Sequence, residues 1–336
     1  MTSGAALDLD ALGPRLPSPL LPVGDERFAR RGLRLLLKRD DLIHPALVGN
    51  KFRKLTPSLR AAGGRTLLTF GGAYSNHLRA TAAAGRLLGL PTVGVVRGHE
   101  LAARPLNPSL ARCAADGMRL HFIDRSTYRR KAEPEVLASI LREVSGGTHT
   151  TDAHTTDPDA TGPGARACGD GGQDRNGVLV VPEGGSNALA VRNCVALGRE
   201  LDGVADVVGI ACGTGGTLAG MAAGLGAGQR AIGFPVLRGG FLGAEVDRLQ
   251  YEAFGGPRGN WRLDDRFHGG GYARSTPELD AFAEDFERRH GIPLERLYVA
   301  KMLYGLTTLA GEGAFPAGTS VAAVITGSPD QPLSSR

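Results

Sequence analysis

The chain is 336 residues long with a net charge of +5, from 39 Lys and Arg against 34 Asp and Glu, and 42% of it is hydrophobic. That length and apolar share suit two domains or one large α/β unit with an ample core. Acidic and basic residues are interspersed and no basic run carries interleaved aromatics, which argues against a nucleic-acid partner; no apolar run approaches a membrane span and no basic-then-apolar leader is recognisable, so a cytoplasmic protein without a membrane partner is expected.

Taken in chain order, the first eighteen residues read as a loose segment. The stretch "VGNKFRKL" at 48–55 follows, with a Gly-Asn pair that reads as a turn and two of the chain's five lysines, Lys51 and Lys54. The run 66–70 predicts a strand, and the segment after it a helix with Ser75 as N-cap and Gly89 as its stop. Further short apolar strands are predicted at 92–97, 119–124, 178–182, 206–211, 231–236 and 320–325, with helices at 187–201, 214–226 and 278–290 between some of them. The β-α-β-α order, with strands too apolar for one-sided antiparallel pairing, predicts an α/β fold with open twisted parallel sheets. Residues 145–177, mostly Gly, Thr and Asp, predict a flexible loop, and its His149 and His154 are read as solvated rather than as metal ligands. The cysteines at 113, 168, 194 and 212 share no zinc-type spacing, so neither a metal nor a disulfide scaffold is expected.

Three segments, 67–77, 180–188 and 210–220, repeat one design of strand, Gly-rich turn and helix start. Ligands of open α/β sheets bind at such turns, beyond the carboxyl ends of the strands. In "GTGGT", Gly213, Gly215 and Gly216 allow backbone N–H groups to crowd an anion, Thr214 and Thr217 add hydroxyls, and the next helix presents its positive end. The same glycines also suit tight helix–strand packing. As a ligand site the pattern predicts a single phosphate group: Leu218 breaks a GxGxxG motif, no Gly-Lys-Ser/Thr follows, and a nicotinamide or ATP site is disfavoured. A lysine near a phosphate cup is the equipment for pyridoxal phosphate (PLP), whose aldehyde it binds as a Schiff base. A solvated surface lysine is the alternative reading of Lys51.

The blocks "KRDDLIHPALVGNKFRKL", "TFGGAYSNHLRATAAAGRLLGL", "PEGGSNALAV", "ACGTGGTLAGM", "GGGY", "LYVAKMLYG" and "VITG" occur in an order that resembles the PLP-dependent fold type II enzymes, specifically the 1-aminocyclopropane-1-carboxylate (ACC) deaminase/D-cysteine desulfhydrase family, from about residue 15 to 328. The resemblance implies two α/β domains with PLP in the cleft between them, the larger from 1–59 and 166–336 and the smaller inserted at 60–165, and a homodimer. It implies Lys51 as the Schiff-base lysine and base, Ser75, Asn76 and His77 as substrate contacts with Asn76 also on the PLP ring, Gly213 to Thr217 as the phosphate cup, and Tyr272 and Tyr298 as active-site tyrosines.

Two departures weigh on the activity. Where the family places Glu or Thr as partner of the pyridine nitrogen, this chain offers Val299 and Ala300, and the usual Thr-Gly-Gly near the C-terminus is Thr326-Gly327-Ser328. A hydroxyl from Thr326 or Ser328 would leave the ring nitrogen largely unprotonated. That favours β-elimination of a small amino acid, of the D-cysteine desulfhydrase kind, over ACC deamination. A PLP- or amino-acid-binding protein without turnover is the further alternative.

Overall fold

The computed structural model describes residues 7–47, 49–146, 174–175, 177–272 and 274–327. The chain opens with β1 (Leu20–Val23), α1 (Glu26–Ala29), β2 (Arg34–Lys38) and α2 (Asn50–Arg60). It continues through β3 (Thr66–Gly71), α3 (Asn76–Leu88), β4 (Thr92–Arg97), α4 (Pro108–Ala115), β5 (Arg119–Ile123), α5 (Arg125–Arg129) and α6 (Pro134–Gly146). Beyond β6 (Asp174–Arg175) come β7 (Val178–Val181), α7 (Ala188–Arg199), β8 (Val207–Cys212), α8 (Gly216–Gly224), β9 (Arg230–Pro235), α9 (Leu242–Phe254), β10 (Trp261–Leu263), α10 (Pro277–His290), α11 (Val299–Gly311) and β11 (Ser320–Val324). Among the described residues no helix is long and apolar enough to cross a membrane.

Two sheets result: β1-β2-β11-β8-β9-β10 and β5-β4-β3-β7-β6. Every pair is parallel except β1/β2 and β6/β7, which close one edge of each sheet antiparallel. The all-apolar strands are explained by burial on both faces. Along β8 and β11 alternate side chains enter two cores: Val207, Ala211, Val321 and Ala323 meet α10 and α11, while Val208, Ile210, Ala322 and Val324 meet α7, α8 and α9. Helices α7 and α8 approach backbone to backbone: a Cβ at Gly220 would lie 2.1 Å from the Val191 carbonyl oxygen. Part of the chain's high glycine content therefore serves packing.

The predicted strands at 66–70, 92–97, 119–124, 178–182, 206–211, 231–236 and 320–325 are found within a residue or two as β3, β4, β5, β7, β8, β9 and β11. Ser75 caps α3 by accepting from Leu78 N, and Gly89 ends it at φ 66°. The sequence placed the smaller unit at 60–165, but its sheet runs on past 165 and helix α2, before residue 60, packs on it. β7 pairs with β3, and α2 buries Phe52, Leu55 and Leu59 against Leu67, Leu179 and Val181 of that sheet. The start of the chain is not uniformly loose, because Leu9 enters this core and Ser18 is buried against Asp40. Of the segment 145–177, residues 147–173 and 176 lie outside the described residues, with His149, His154 and Cys168 among them, as does Ser328.

The Gly-Asn pair is a turn only at Gly49, and Asn50 already starts α2. Gly49 has φ 65° and ψ −143°, and a Cβ there would fall 1.7 Å from the Thr326 carbonyl oxygen, so only glycine fits. α2 has no side-chain cap and no acid in its first turn, and it contains Pro57. The Arg53 carbonyl that Pro57 leaves without an N–H donor accepts instead from Asn193 Nδ2 at 2.6 Å. Arg53 is a structural cation: its guanidinium grips Asp40 through Nε and Nη2, both at 2.9 Å, and reaches Glu200 at 2.8 Å. Lys38 joins Glu200 at 2.7 Å and Ser18 donates to Asp40 at 2.7 Å. Burial opposes the charge on Arg53, but Asp40 and Glu200 outweigh it and raise the pKa.

Candidate active site

A cavity between the two sheets collects residues from five turns. α2 contributes Asn50, Lys51 and Lys54, the turn after β3 contributes Gly72, Ser75, Asn76 and His77, and the turn after β7 contributes Glu183 and Gly184. The turn after β8 gives Gly213 through Thr217, and Thr326 lies two residues past β11. Tyr272 and Tyr298 close one end, with Arg97 from the tip of β4. Every candidate site residue named from the sequence therefore lines one cavity, at the carboxyl ends of parallel strands. Val299 does not; it is fully buried in the core with α10 and α11.

Lys51 and Lys54 sit one turn apart on α2, the spacing that puts two side chains on one helix face. Burial lowers the Lys51 pKa from 10.5 to about 8. Lys54 is driven well below 10.5, first by burial and then by Lys51. Its ammonium donates to Ser186 Oγ at 2.6 Å and Thr214 Oγ1 at 3.3 Å, and no carboxylate pairs with it among the described residues. Arg53 and Lys54 both follow Lys51 within one turn of α2. The structure separates them: Arg53 belongs to the buried ion network and Lys54 to the cavity.

The "GTGGT" cup now has a measured lining. A Cβ at Gly216 would meet Ser186 Oγ at 2.6 Å and Lys54 Nζ at 3.3 Å, and one at Gly184 would meet Thr214 Oγ1 at 2.6 Å. At Gly213 it would press on the Tyr298 ring at 3.3 Å. These glycines keep clear a hollow lined by an ammonium and three hydroxyls, at the uncapped N-terminus of α8. Asn50 Nδ2 fixes the third hydroxyl, Thr217 Oγ1, at 2.8 Å. A phosphate dianion fits this donor set, because it supplies the charge that Lys54 lacks and accepts from all of them. Ser186 and Lys54 were missed as ligands although both lie in the quoted motifs; only the fold shows that 186, 214 and 54 converge.

The second anion position is the start of α3. Ser75 Oγ accepts from Leu78 N at 3.3 Å, which leaves its own O–H to donate, and the N–H groups of Asn76 and His77 have no partner within the helix. His77 forms part of the wall. The Thr69 hydroxyl donates to the Val181 carbonyl at 2.8 Å, so His77 Nε2, 2.7 Å from Thr69 Oγ1, must be the protonated nitrogen. Burial, then Lys51 and Lys54, push the His77 pKa well below 6.5 and keep it neutral. Its Nδ1 has no hydrogen-bond partner.

Tyr272 and Tyr298 meet edge to face with ring centroids 6.1 Å apart, and the Tyr272 hydroxyl donates to the Tyr74 carbonyl at 3.1 Å. Burial raises both phenol pKa values. Lys301 supports Tyr272 from below by donating to the His268 and Gly271 carbonyls, both at 2.8 Å. Among the described residues Glu183 is the single carboxylate in the lining, and Lys131 pairs with it at 2.9 Å. With Lys51, Lys54 and Arg97 present, the cavity is cationic and selects anionic ligands.

A lysine of lowered pKa and a phosphate cup in the cleft between two parallel sheets define a fold type II PLP enzyme. The chain belongs to the pyridoxal-phosphate dependent enzyme family, whose model matches residues 14–327. It is 28% identical over 301 residues to the bifunctional D-cysteine desulfhydrase/1-aminocyclopropane-1-carboxylate deaminase of Arabidopsis thaliana, covering 82% of this chain and 67% of that protein. To the D-cysteine desulfhydrase of Klebsiella pneumoniae it is 27% identical over 321 residues, covering 89% of this chain and 87% of the relative. Its fold matches the crystal structure of an ACC deaminase homologue with a TM-score of 0.71 at 25% identity, over 92% of this chain and 89% of that one.

If Lys51 is the Schiff-base lysine, its ionisation limits cofactor capture. A neutral amine attacks the aldehyde, and a pKa of about 8 leaves about a tenth of Lys51 neutral at pH 7. Mixing apoprotein with PLP across pH 6–10 should therefore give a visible band whose rate of appearance climbs about tenfold per pH unit and levels off above about 8. A rate still climbing near pH 10 would mean an unperturbed lysine.

Proposed function

We propose that the chain is a PLP-dependent lyase that takes D-cysteine through α,β-elimination to pyruvate, ammonia and sulfide. The observation that carries the reading is one cavity holding both an amine of lowered pKa, Lys51, and a cup built around the unpaired ammonium of Lys54. When bound, the cofactor supplies the electron sink for the pair released as the substrate Cα–H bond breaks.

The residues divide the remaining work. Lys54, Ser186, Thr214 and Thr217 hold the phosphate with the N–H groups at the start of α8. Asn76 donates to the ring's 3′ oxygen. The Ser75 hydroxyl and the first N–H groups of α3 take the substrate carboxylate, which orients the Cα–H bond. Lys51 would hold the cofactor, and its neutral amine would be placed to accept the substrate Cα proton. Tyr298 and Tyr272 remain protonated at neutral pH and can pass a proton to the departing sulfur. The free enamine product takes up water and yields pyruvate and ammonia.

Two observations favour elimination over ring opening. Val299 is buried away from the cavity, so the neutral hydroxyl of Thr326, which lines it, or of Ser328, outside the described residues, is the proposed partner for the ring nitrogen. The only lining carboxylate among the described residues, Glu183, is paired to Lys131. A weak electron sink suffices for a thiolate leaving group and not for an unactivated cyclopropane. A substrate panel of D-cysteine, L-cysteine, D-serine and ACC decides the matter. Pyruvate and sulfide should form in equal amounts from D-cysteine, with ammonia release from ACC at least about 100-fold slower. Faster release from ACC would make the protein a deaminase, and no product from any of them would make it a binding protein.

A further inference from the structure

We infer that Arg79 is a positioning residue that turns the Asn76 amide so that its N–H group, and not its oxygen, faces the cofactor's 3′ oxygen. The inference rests on the PLP reading of the cavity and goes beyond it. Asn76 and Arg79 lie three residues apart in α3, and Arg79 Nη2 donates to Asn76 Oδ1 at 2.8 Å. Arginine carries donors only, so the atom facing it is the carbonyl oxygen and the Nδ2 hydrogens are left for the cavity that Asn76 lines. Without that contact the amide can rotate by half a turn at little cost and present an acceptor instead.

Arg79 lines a second cavity with Tyr74, Asn76, Ser109, Glu295 and Arg296, on the far side of Asn76 from the lysines. Glu295 there is buried, and its carboxylate accepts from the N–H groups of Leu297 at 2.8 Å and Tyr298 at 2.7 Å; burial lowers the Arg79 pKa, and Cys113 and Glu295 act against that shift. A cation pulling on Oδ1 also makes the Nδ2 hydrogens stronger donors.

An N–H donor favours the bound cofactor with an anionic 3′ oxygen, and an acceptor favours the form protonated there. The two forms absorb in the visible and the near ultraviolet respectively, so their ratio reports the amide's orientation without turnover. Arg79→Met, Arg79→Lys, Asn76→Ala and the R79M/N76A pair should be loaded with PLP and their spectra recorded at one pH. The expected result is a roughly tenfold fall in the visible-to-ultraviolet ratio for R79M, the scale of one hydrogen bond to a charged group. R79K should keep most of the wild-type ratio, and R79M/N76A should fall no further than N76A alone, since the two act as one unit. A wild-type ratio in R79M, or effects of R79M and N76A that add, overturns the role of Arg79 alone. If R79M does not fold, Arg79→Gln against Arg79→Lys makes the same comparison, and equal ratios overturn the role. No visible band in the wild-type protein overturns the reading of the cavity and this inference with it.

Discussion

Lys51→Ala abolishes the visible band of the loaded protein and lowers turnover by about 10³- to 10⁴-fold, the loss expected when covalent anchor and proton acceptor go together. Lys51→Arg gives the same spectrum, because a guanidinium stays charged and forms no Schiff base. The phosphate cup survives either change: Lys54, Ser186, Thr214 and Thr217 are untouched, and removing Lys51 relieves one of the two causes that depress Lys54. Equilibrium dialysis should therefore still find PLP bound to K51A, while its spectrum remains that of the free aldehyde. A variant that keeps the visible band would transfer the covalent role to Lys54.

Arg53→Met produces the largest expected loss of stability. Methionine replaces the aliphatic stem and keeps α2 helical, but without the guanidinium it strands Asp40, whose side chain is fully buried, with the Ser18 hydroxyl. Breaking a buried ion pair from one side costs about 3–5 kcal/mol. For a chain of this size that is a fall in melting temperature on the order of 10 °C. The network ties the end of β2, the middle of α2 and the end of α7, so the loss should also loosen the helix that carries both cavity lysines. Thermal unfolding monitored by circular dichroism measures the first effect. A melting point within 2 °C or so of wild type would show that the network contributes little.

The contrast between Arg53 and Lys54 shows where sequence reading stops. Both follow Lys51 within three residues, and nothing local separates them. Their fates are set by partners 147 and 132 residues away, Glu200 and Ser186. Strands β3, β4, β5, β7, β8, β9 and β11 were legible because burial on two faces writes them as apolar runs, and α3 because Ser75 and Gly89 punctuate it; the parallel strand β2 was not predicted. β1 escaped because Pro22 interrupts a strand only four residues long, and β10 because three residues carry no period. α2 escaped because its start has no cap and no acid, and its lysines occupy the turn where a helix prefers negative charge. The three Gly-rich turns were each visible alone, but their meeting around one cavity depends on strand order. Thr326 joins them only because β11 lies between β2 and β8.

Borohydride reduction of the loaded protein, followed by digestion and mass spectrometry, tests the central claim most directly, because it fixes the cofactor to whichever lysine held it. The account predicts the pyridoxyl mass on Lys51 alone, with Lys54 of the same peptide stretch unmodified. The adduct on Lys54 or on Lys301, or no adduct on any lysine, would contradict it.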